Sequence, residues 1–145
     1  MRLDTILKDF IINLTSNLYT MPKVFKKAGI NQEQANMQIN KALIIAEKTF
    51  GIHRSEFLFN RNPANRPAFK AKCWFIWACL DLYDVPTVNV QETGYLSYER
   101  IIHVTNVIRE SRDKNDIATA KKMRQYYNEI EELCELDADY VRSVS

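Results

Sequence analysis

Apolar residues recur along most of this chain at steps of three and four positions, the spacing that places side chains on one face of an α-helix. In the first such segment, Leu3, Leu7 and Leu14 belong to a single apolar stripe. The predicted helices are Leu3–Leu18, Asn31 to about Thr49, Glu56–Asn60, Ala68–Leu82, Thr87–Glu92, Tyr98 to about Glu110 and Ile117–Leu136. The pattern therefore predicts a chain built mainly from helices.

The residues between these segments carry the usual signals for the start and end of a helix. Asn31 followed by Gln34 is typical of a capping box, and Ser55 and Ser97 are natural N-caps. Gly51 and Gly94 are expected to end the helices before them. The stretch 61–67 is predicted to be a loop, because Pro63 and Pro67 disfavour helical geometry in the residue before each.

The helix at 68–82 is apolar on most sides, which is typical of the central helix of a domain. We interpret its aromatic residues Phe69, Trp74, Phe75 and Trp77 as core and not as a stacking platform, since they lie among aliphatic side chains.

Length and composition narrow the fold class. The chain has 145 residues, enough for one core, and its three glycines and four prolines are too few for the frequent turns of an all-β protein. We therefore predict an all-α fold, a compact multi-helix domain containing a helix-turn-helix. Within the single domain 1–145 we distinguish an N-terminal helical extension (1–40), a helix-turn-helix core (41–110) and a C-terminal helix (113–145).

The chemistry-bearing residues do not predict catalysis or a metal site. Cys73, Cys79 and Cys134 form no Cys-x-x-Cys pair, and His53 and His103 have no second ligand at metal spacing. We expect three free thiols in a reducing compartment, no metal, no cofactor and no enzyme activity. The acids of 129–135 are expected on a solvated helix face.

Nothing in the sequence predicts export or membrane insertion. Asp4 and Asp9 interrupt the start of the chain where a signal peptide needs an apolar run, and the longest uncharged apolar stretch is Cys73–Leu80. We therefore expect a cytoplasmic protein with no membrane partner.

The formal net charge is only +2, but its distribution is uneven. Residues 54–80 carry five basic side chains against one acid, whereas residues 113–145 carry eight acids and five bases. A basic middle beside an acidic end is typical of a protein that presents one face to an anionic partner.

The order of elements from Val85 to Arg109 predicts a helix-turn-helix: a short helix, a turn at 93–96 and a longer helix capped by Ser97. In DNA-reading examples the second helix enters the major groove with its N-terminal side chains on base edges, while nearby basic residues hold the backbone. The predicted DNA-binding residues are Arg61, Arg66, Lys70, Lys72, Ser97, Tyr98, Glu99 and Arg100. A plain helical hairpin with solvated Glu99 and Arg100 is the alternative interpretation.

Several stretches resemble one family in order and spacing. They are IAEKTFGI at positions 45–52, the basic loop 61–67, the helix 68–82, VPTVN at 85–89 and SYERIIHV at 97–104. Together, from about Ile44 to Ile108, they resemble the C-terminal duplex-binding domain of the bacterial replication initiator DnaA. Ser97, Tyr98, Glu99 and Arg100 replace that family's Asp-His-Thr-Thr, and no nucleotide-binding Gly-x-x-x-x-Gly-Lys loop is present.

The resemblance implies binding to double-stranded DNA, in a small regulator linked to replication or transcription, but not the family's target sequence. The alternative is a helical adaptor or inhibitor that binds another protein, such as a replication or transcription protein, with the helix-turn-helix as scaffold. His103 has two interpretations, a DNA contact or, as we expect, packing on the preceding helix. For residues 1–40 a dimerisation hairpin is considered, which leaves a homodimer open.

Overall fold

A computed structural model describes residues 32–144 of the chain, with the side-chain surroundings of residues 32–139. The α-helices are α1 (Gln32–Phe50), α2 (Arg54–Phe57), α3 (Arg66–Trp77), α4 (Thr87–Gly94), α5 (Tyr98–Glu110) and α6 (Lys114–Val144). About 81% of this part of the chain is helical and none of it is a strand, which confirms the all-α class. The predicted helix Leu3–Leu18 and the proposed dimerisation hairpin lie outside the described residues.

Helix α1 follows the predicted span closely. Its apolar run from Ala42 to Ala46 is buried against the other helices. The helix ends as predicted at Gly51, which has a left-handed φ of 67° and donates its backbone N–H to the Glu47 carbonyl at 2.8 Å. Glycine adopts this conformation without the steric cost that a Cβ imposes, so it closes the helix at this position.

Helix α3 is the central helix, and the prediction of an aromatic core is confirmed for Trp74, Phe75 and Trp77. The two indole rings meet edge to face with centroids 5.2 Å apart. The helix packs against both α1 and α5, and it continues without a break into a π-helical turn at Ala78–Leu82. In this turn the Tyr83 backbone N–H donates to the carbonyl of Ala78, five residues earlier, at 3.2 Å.

Several predicted boundaries are wrong, and three of them have a local reason. Helix α3 begins at Arg66, because Pro67 occupies its first turn, where a proline has no hydrogen bond to lose. Helix α2 is capped by the ring of His53, whose Nδ1 accepts the Ser55 backbone N–H at 3.2 Å, so Ser55 lies inside the helix. Gly94 is the last residue of α4, and the left-handed residue that follows it is Tyr95.

The long helix α6 packs against α1 and the π-helical turn through the middle of its length. Met123 and Ile130 are buried there, and Lys41 Nζ of α1 meets Glu131 Oε1 at 2.9 Å. Ile117 and Leu136, the bounds of the predicted helix, are 57% and 59% exposed, and α6 extends beyond both of them, from Lys114 to Val144. The helix is about 46 Å long, longer than the surface on which it lies.

The three cysteines are free, as predicted. Cys79 is buried, and Cys73 and Cys134 are half-buried. Within the described helices, none is both long and apolar enough to cross a membrane.

Candidate nucleic-acid interface

The first turn of α5 lies at the surface because of the backbone turn that precedes it. Tyr95 turns the backbone with a left-handed φ of 51°, and Ser97 then caps α5, its Oγ accepting the Arg100 backbone N–H at 3.2 Å. Ile101 and Thr105, one and two turns further on, are buried, and α5 packs on α3. This leaves the tip of the helix exposed, with residues Ser97, Tyr98, Glu99 and Arg100 all open to solvent.

The side chain of Leu96 lies close to Gly94 in the turn before this tip. Gly94 is buried, and a Cβ at that position would lie 3.0 Å from Leu96 Cδ1. Because so short a contact forces a neighbour to move, the turn between α4 and α5 keeps its shape only with glycine or with a shifted Leu96 side chain.

A pocket of about 420 Å³ opens beside the tip of α5. Its walls come from the loop before α3, from α3 itself and from the turn and first half of α5. The polar residues that line it include Asn60, Arg61, Lys72, Ser97 and Arg100, and the apolar ones include Phe69, Ile76, Leu96 and Val104. Three cationic side chains from three different segments thus meet around one concave surface.

Lys72 is the most enclosed of the three cations, with only 7% of the residue exposed. Its Nζ donates a hydrogen bond to the Asn60 carbonyl at 3.1 Å. Burial lowers the pKa of Lys72, and the charges of Arg61 and Arg100 lower it further. The ammonium group is therefore held in an unfavourable place in the free protein, next to two charges of its own sign.

Arg100 is positioned at this pocket by an aromatic ring. Its guanidinium carbon lies 5.3 Å from the centroid of the Phe69 ring, within the range of a cation–π contact. Neighbouring Cys73 lines the same wall; burial raises the pKa of its thiol, and the charges of Arg100 and Lys72 oppose that rise. The pocket therefore combines an apolar floor with a positive potential.

Two of the predicted basic residues do not line the pocket. Arg66 is exposed at the first residue of α3. Lys70 lies over the ring of Phe50, with Nζ 5.9 Å from its centroid, and so faces the end of α1. Tyr98 and Glu99 are exposed on α5 outside the pocket lining. The structure thus brings together Arg61, Lys72, Ser97 and Arg100 of the eight predicted residues.

The outward face of α5 carries a polar stripe. Glu99, His103, Asn106 and Glu110 recur at steps of four, three and four and are all exposed. The expectation that His103 packs against the preceding helix is therefore wrong, because the inner positions are filled by Ile101, Val104 and Thr105.

Two aromatic residues at the rim of the pocket were missed in the sequence. Phe59 is 56% exposed and Tyr95 is 73% exposed, and their rings lie with centroids 5.7 Å apart and planes tilted by 41°. The residues are 36 positions apart, in a loop and a turn, so no helical periodicity connects them. The only signal in the sequence for Tyr95 was its unusual position, a tyrosine directly after the glycine of the turn.

In the described part of the chain, no three histidine, cysteine, aspartate or glutamate side chains lie close enough to hold a metal ion. No family model matches the sequence, and neither the curated proteins nor the solved structures include a match.

Proposed function

We propose that this protein binds duplex DNA, with α4 and α5 acting as a helix-turn-helix and α5 entering the major groove. One observation carries the proposal: Arg61, Lys72 and Arg100 converge on one pocket beside the exposed N-terminal turn of α5. These cations repel one another in the free protein. An anion bound between them is attracted to each one and offsets that repulsion, which favours binding.

A DNA phosphate suits this arrangement. The guanidinium groups of Arg61 and Arg100 can each donate two parallel hydrogen bonds to phosphate oxygens, and Lys72 adds a third charge from inside the pocket. The start of α5, where Ser97 and Arg100 line the pocket, also favours negative charge, as the N-terminus of a helix does. These contacts fix the position of the helix on the duplex but carry no base information.

The outward stripe of α5 supplies residue types that read bases. Asn106 matches the N6 and N7 edge of adenine, Glu99 can accept from the amino group of cytosine, and His103 can contact a base or a phosphate. The resemblance of residues 44–108 to the DnaA duplex-binding domain supports the same mode of binding and a role in replication or transcription. The replaced residues at 97–100 predict a different target sequence.

Fluorescence anisotropy with labelled genomic fragments tests the proposal. We expect binding that weakens steeply between 50 and 200 mM salt, since each neutralised phosphate releases a counterion. Arg100→Ala should weaken binding to all sequences alike and reduce the salt slope by about 1, as expected for the loss of one phosphate contact. The matched control is Arg112→Ala, because Arg112 is exposed just beyond the other end of α5, about 18 Å from Arg100.

The control variant should bind DNA as the wild type does. Absence of any binding at 50 mM salt, or equal losses for Arg100→Ala and Arg112→Ala, would refute the proposed site.

A second candidate function is that of an adaptor that binds another protein through the last helix. The observation that favours it is the exposed Leu136, which lies among the exposed acids Glu132, Glu135 and Asp137 on the distal part of α6. An exposed leucine near acidic side chains on the last helix offers a partner both an apolar and a charged contact. Leu136→Lys separates the two candidates, since it should abolish protein binding by this surface and leave DNA affinity unchanged.

A further inference from the structure

The aromatic pair Phe59–Tyr95 lies at the mouth of the cationic pocket. Tyr95 lines the pocket directly, and Phe59 packs on the Tyr95 ring and immediately precedes Asn60 and Arg61, which also line the pocket. Both rings are more than half exposed. Two large aromatic rings in contact with solvent contribute little to the core. Packing of the core therefore does not explain why they lie at this position.

The backbone at Tyr95 strengthens this point. Its φ of 51° and ψ of 47° lie in the left-handed region, which a residue with a Cβ enters at a cost of about 1 kcal/mol or more. Glycine or asparagine would form the same turn more cheaply. A strained residue with an exposed aromatic side chain beside a charged pocket is the kind of feature that functional sites retain.

We infer that this pair stacks on an unpaired base next to the duplex phosphate that Arg61, Lys72 and Arg100 hold. The inference rests on the proposed function and names its substrate class: duplex DNA that continues into a single strand. Stacking platforms beside positive grooves are how proteins hold single-stranded nucleic acid, because every base offers a flat face to an aromatic ring. A blunt duplex keeps its bases paired and stacked and cannot occupy the platform.

The test compares two ligands of the same duplex sequence, one blunt and one with a four-nucleotide single-stranded extension, at one salt concentration. We expect the wild type to bind the extended duplex about 5- to 150-fold more tightly, as one stacked base contributes roughly 1–3 kcal/mol. Tyr95→Asn should reduce that ratio to near one while keeping the turn, because asparagine accepts the left-handed conformation. Tyr95→Phe should restore the ratio, since only the ring is needed.

The control is Tyr98→Asn, which removes an exposed tyrosine that does not line the pocket. Whatever it does to the blunt duplex, it should leave the ratio between the two ligands unchanged. Equal binding of both ligands by the wild type, or an unchanged ratio in Tyr95→Asn, would overturn the inference and leave duplex binding intact. Failure to bind either ligand would instead refute the proposed function.

Discussion

Replacing Lys72 by methionine should stabilise the free protein and weaken its binding to DNA. Methionine keeps the length and the apolar character of the lysine stem, so the packing of α3 against the pocket is preserved. What it removes is an ammonium group with 7% of the residue exposed, hydrogen-bonded to the Asn60 carbonyl and repelled by Arg61 and Arg100.

Two opposing terms set the magnitude. Loss of the charged hydrogen bond costs about 1.5–3 kcal/mol, toward the lower value here because the adjacent loop is open to water. Relief of desolvation and of the repulsion by Arg61 and Arg100, the two causes of the lowered pKa of Lys72, acts in the other direction, and we expect it to outweigh the lost hydrogen bond for a side chain so enclosed. We therefore expect Lys72→Met to raise the free energy of unfolding at pH 7 by about 1 kcal/mol, or Tm by roughly 4 °C.

The pH dependence has a definite sign. Because the pKa of Lys72 in the folded protein lies below its ordinary value of 10.5, the unfolded state binds more protons between those two values. The electrostatic penalty is complete below the folded pKa and is relieved as the pH rises toward 10.5. The stability advantage of Lys72→Met over the wild type should therefore shrink between pH 7 and pH 10.

Urea unfolding followed by the fluorescence of the buried Trp74 and Trp77 measures both effects. Lys70→Met is the matched control, since Lys70 is exposed on the same helix and should change stability by less than about 0.5 kcal/mol. If Lys72→Met were less stable than the wild type, with a difference that stays constant from pH 7 to pH 10, Lys72 would be a structural hydrogen-bond donor and the electrostatic reasoning would be refuted.

Three further predictions concern the frame that holds the site. Ser97→Ala should lower the free energy of unfolding by about 1 kcal/mol, and Ser97→Gly by only a few tenths. Both variants lose the cap oxygen, but glycine leaves the helix end open to water. Equal losses of stability in urea unfolding would contradict this. Ile101→Ala should cost about 2–5 kcal/mol, since the side chain is fully buried between α5 and α3, and a loss below 1 kcal/mol would show that the two helices are not tightly packed. Burial raises the pKa of the Cys79 thiol above its usual range. Dithionitrobenzoate should therefore modify Cys73 and Cys134 in the native protein and react with Cys79 only at the rate of unfolding. Fast modification of all three thiols would argue against the buried position of Cys79.

Local signals were sufficient to predict much of the fold. The cap at Ser97 and the stop at Gly51 each depend on a few neighbouring residues, and the structure confirms both. The boundary at Pro67 was wrong because a proline is compatible with both a loop and a first helical turn. The π-helical turn was not predicted at all, since no residue pattern in 78–82 distinguishes it from an α-helix.

The sequence predicted a residue of the candidate site correctly only where its position around the helix also placed it on the face that lines the pocket. Lys72 lies on the same face of α3 as Phe69 and Ile76, at steps of three and four, whereas Lys70 is turned about 100° from Phe69 and meets α1 instead. The angular positions of Lys70 and Lys72 around the helix would have shown that only Lys72 shares the face of Phe69 and Ile76. The pairing of Phe59 with Tyr95 depends on how a loop and a turn meet in space, which the sequence does not encode in any short spacing.

The π-helical turn after α3 makes the orientation of α4 and α5 depend on the number of residues in the turn. One residue more than an α-helix would need is accommodated between Ala78 and Leu82, so everything that follows is rotated by about 100° relative to a continuous helix. Deleting any one residue of this turn would keep every other side chain and still reorient Val85, α4 and the tip of α5 against α3. Insertions and deletions here should therefore be tolerated less well than most substitutions, because the five-residue turn is the spacer that sets the angle of α4 and α5 against α3.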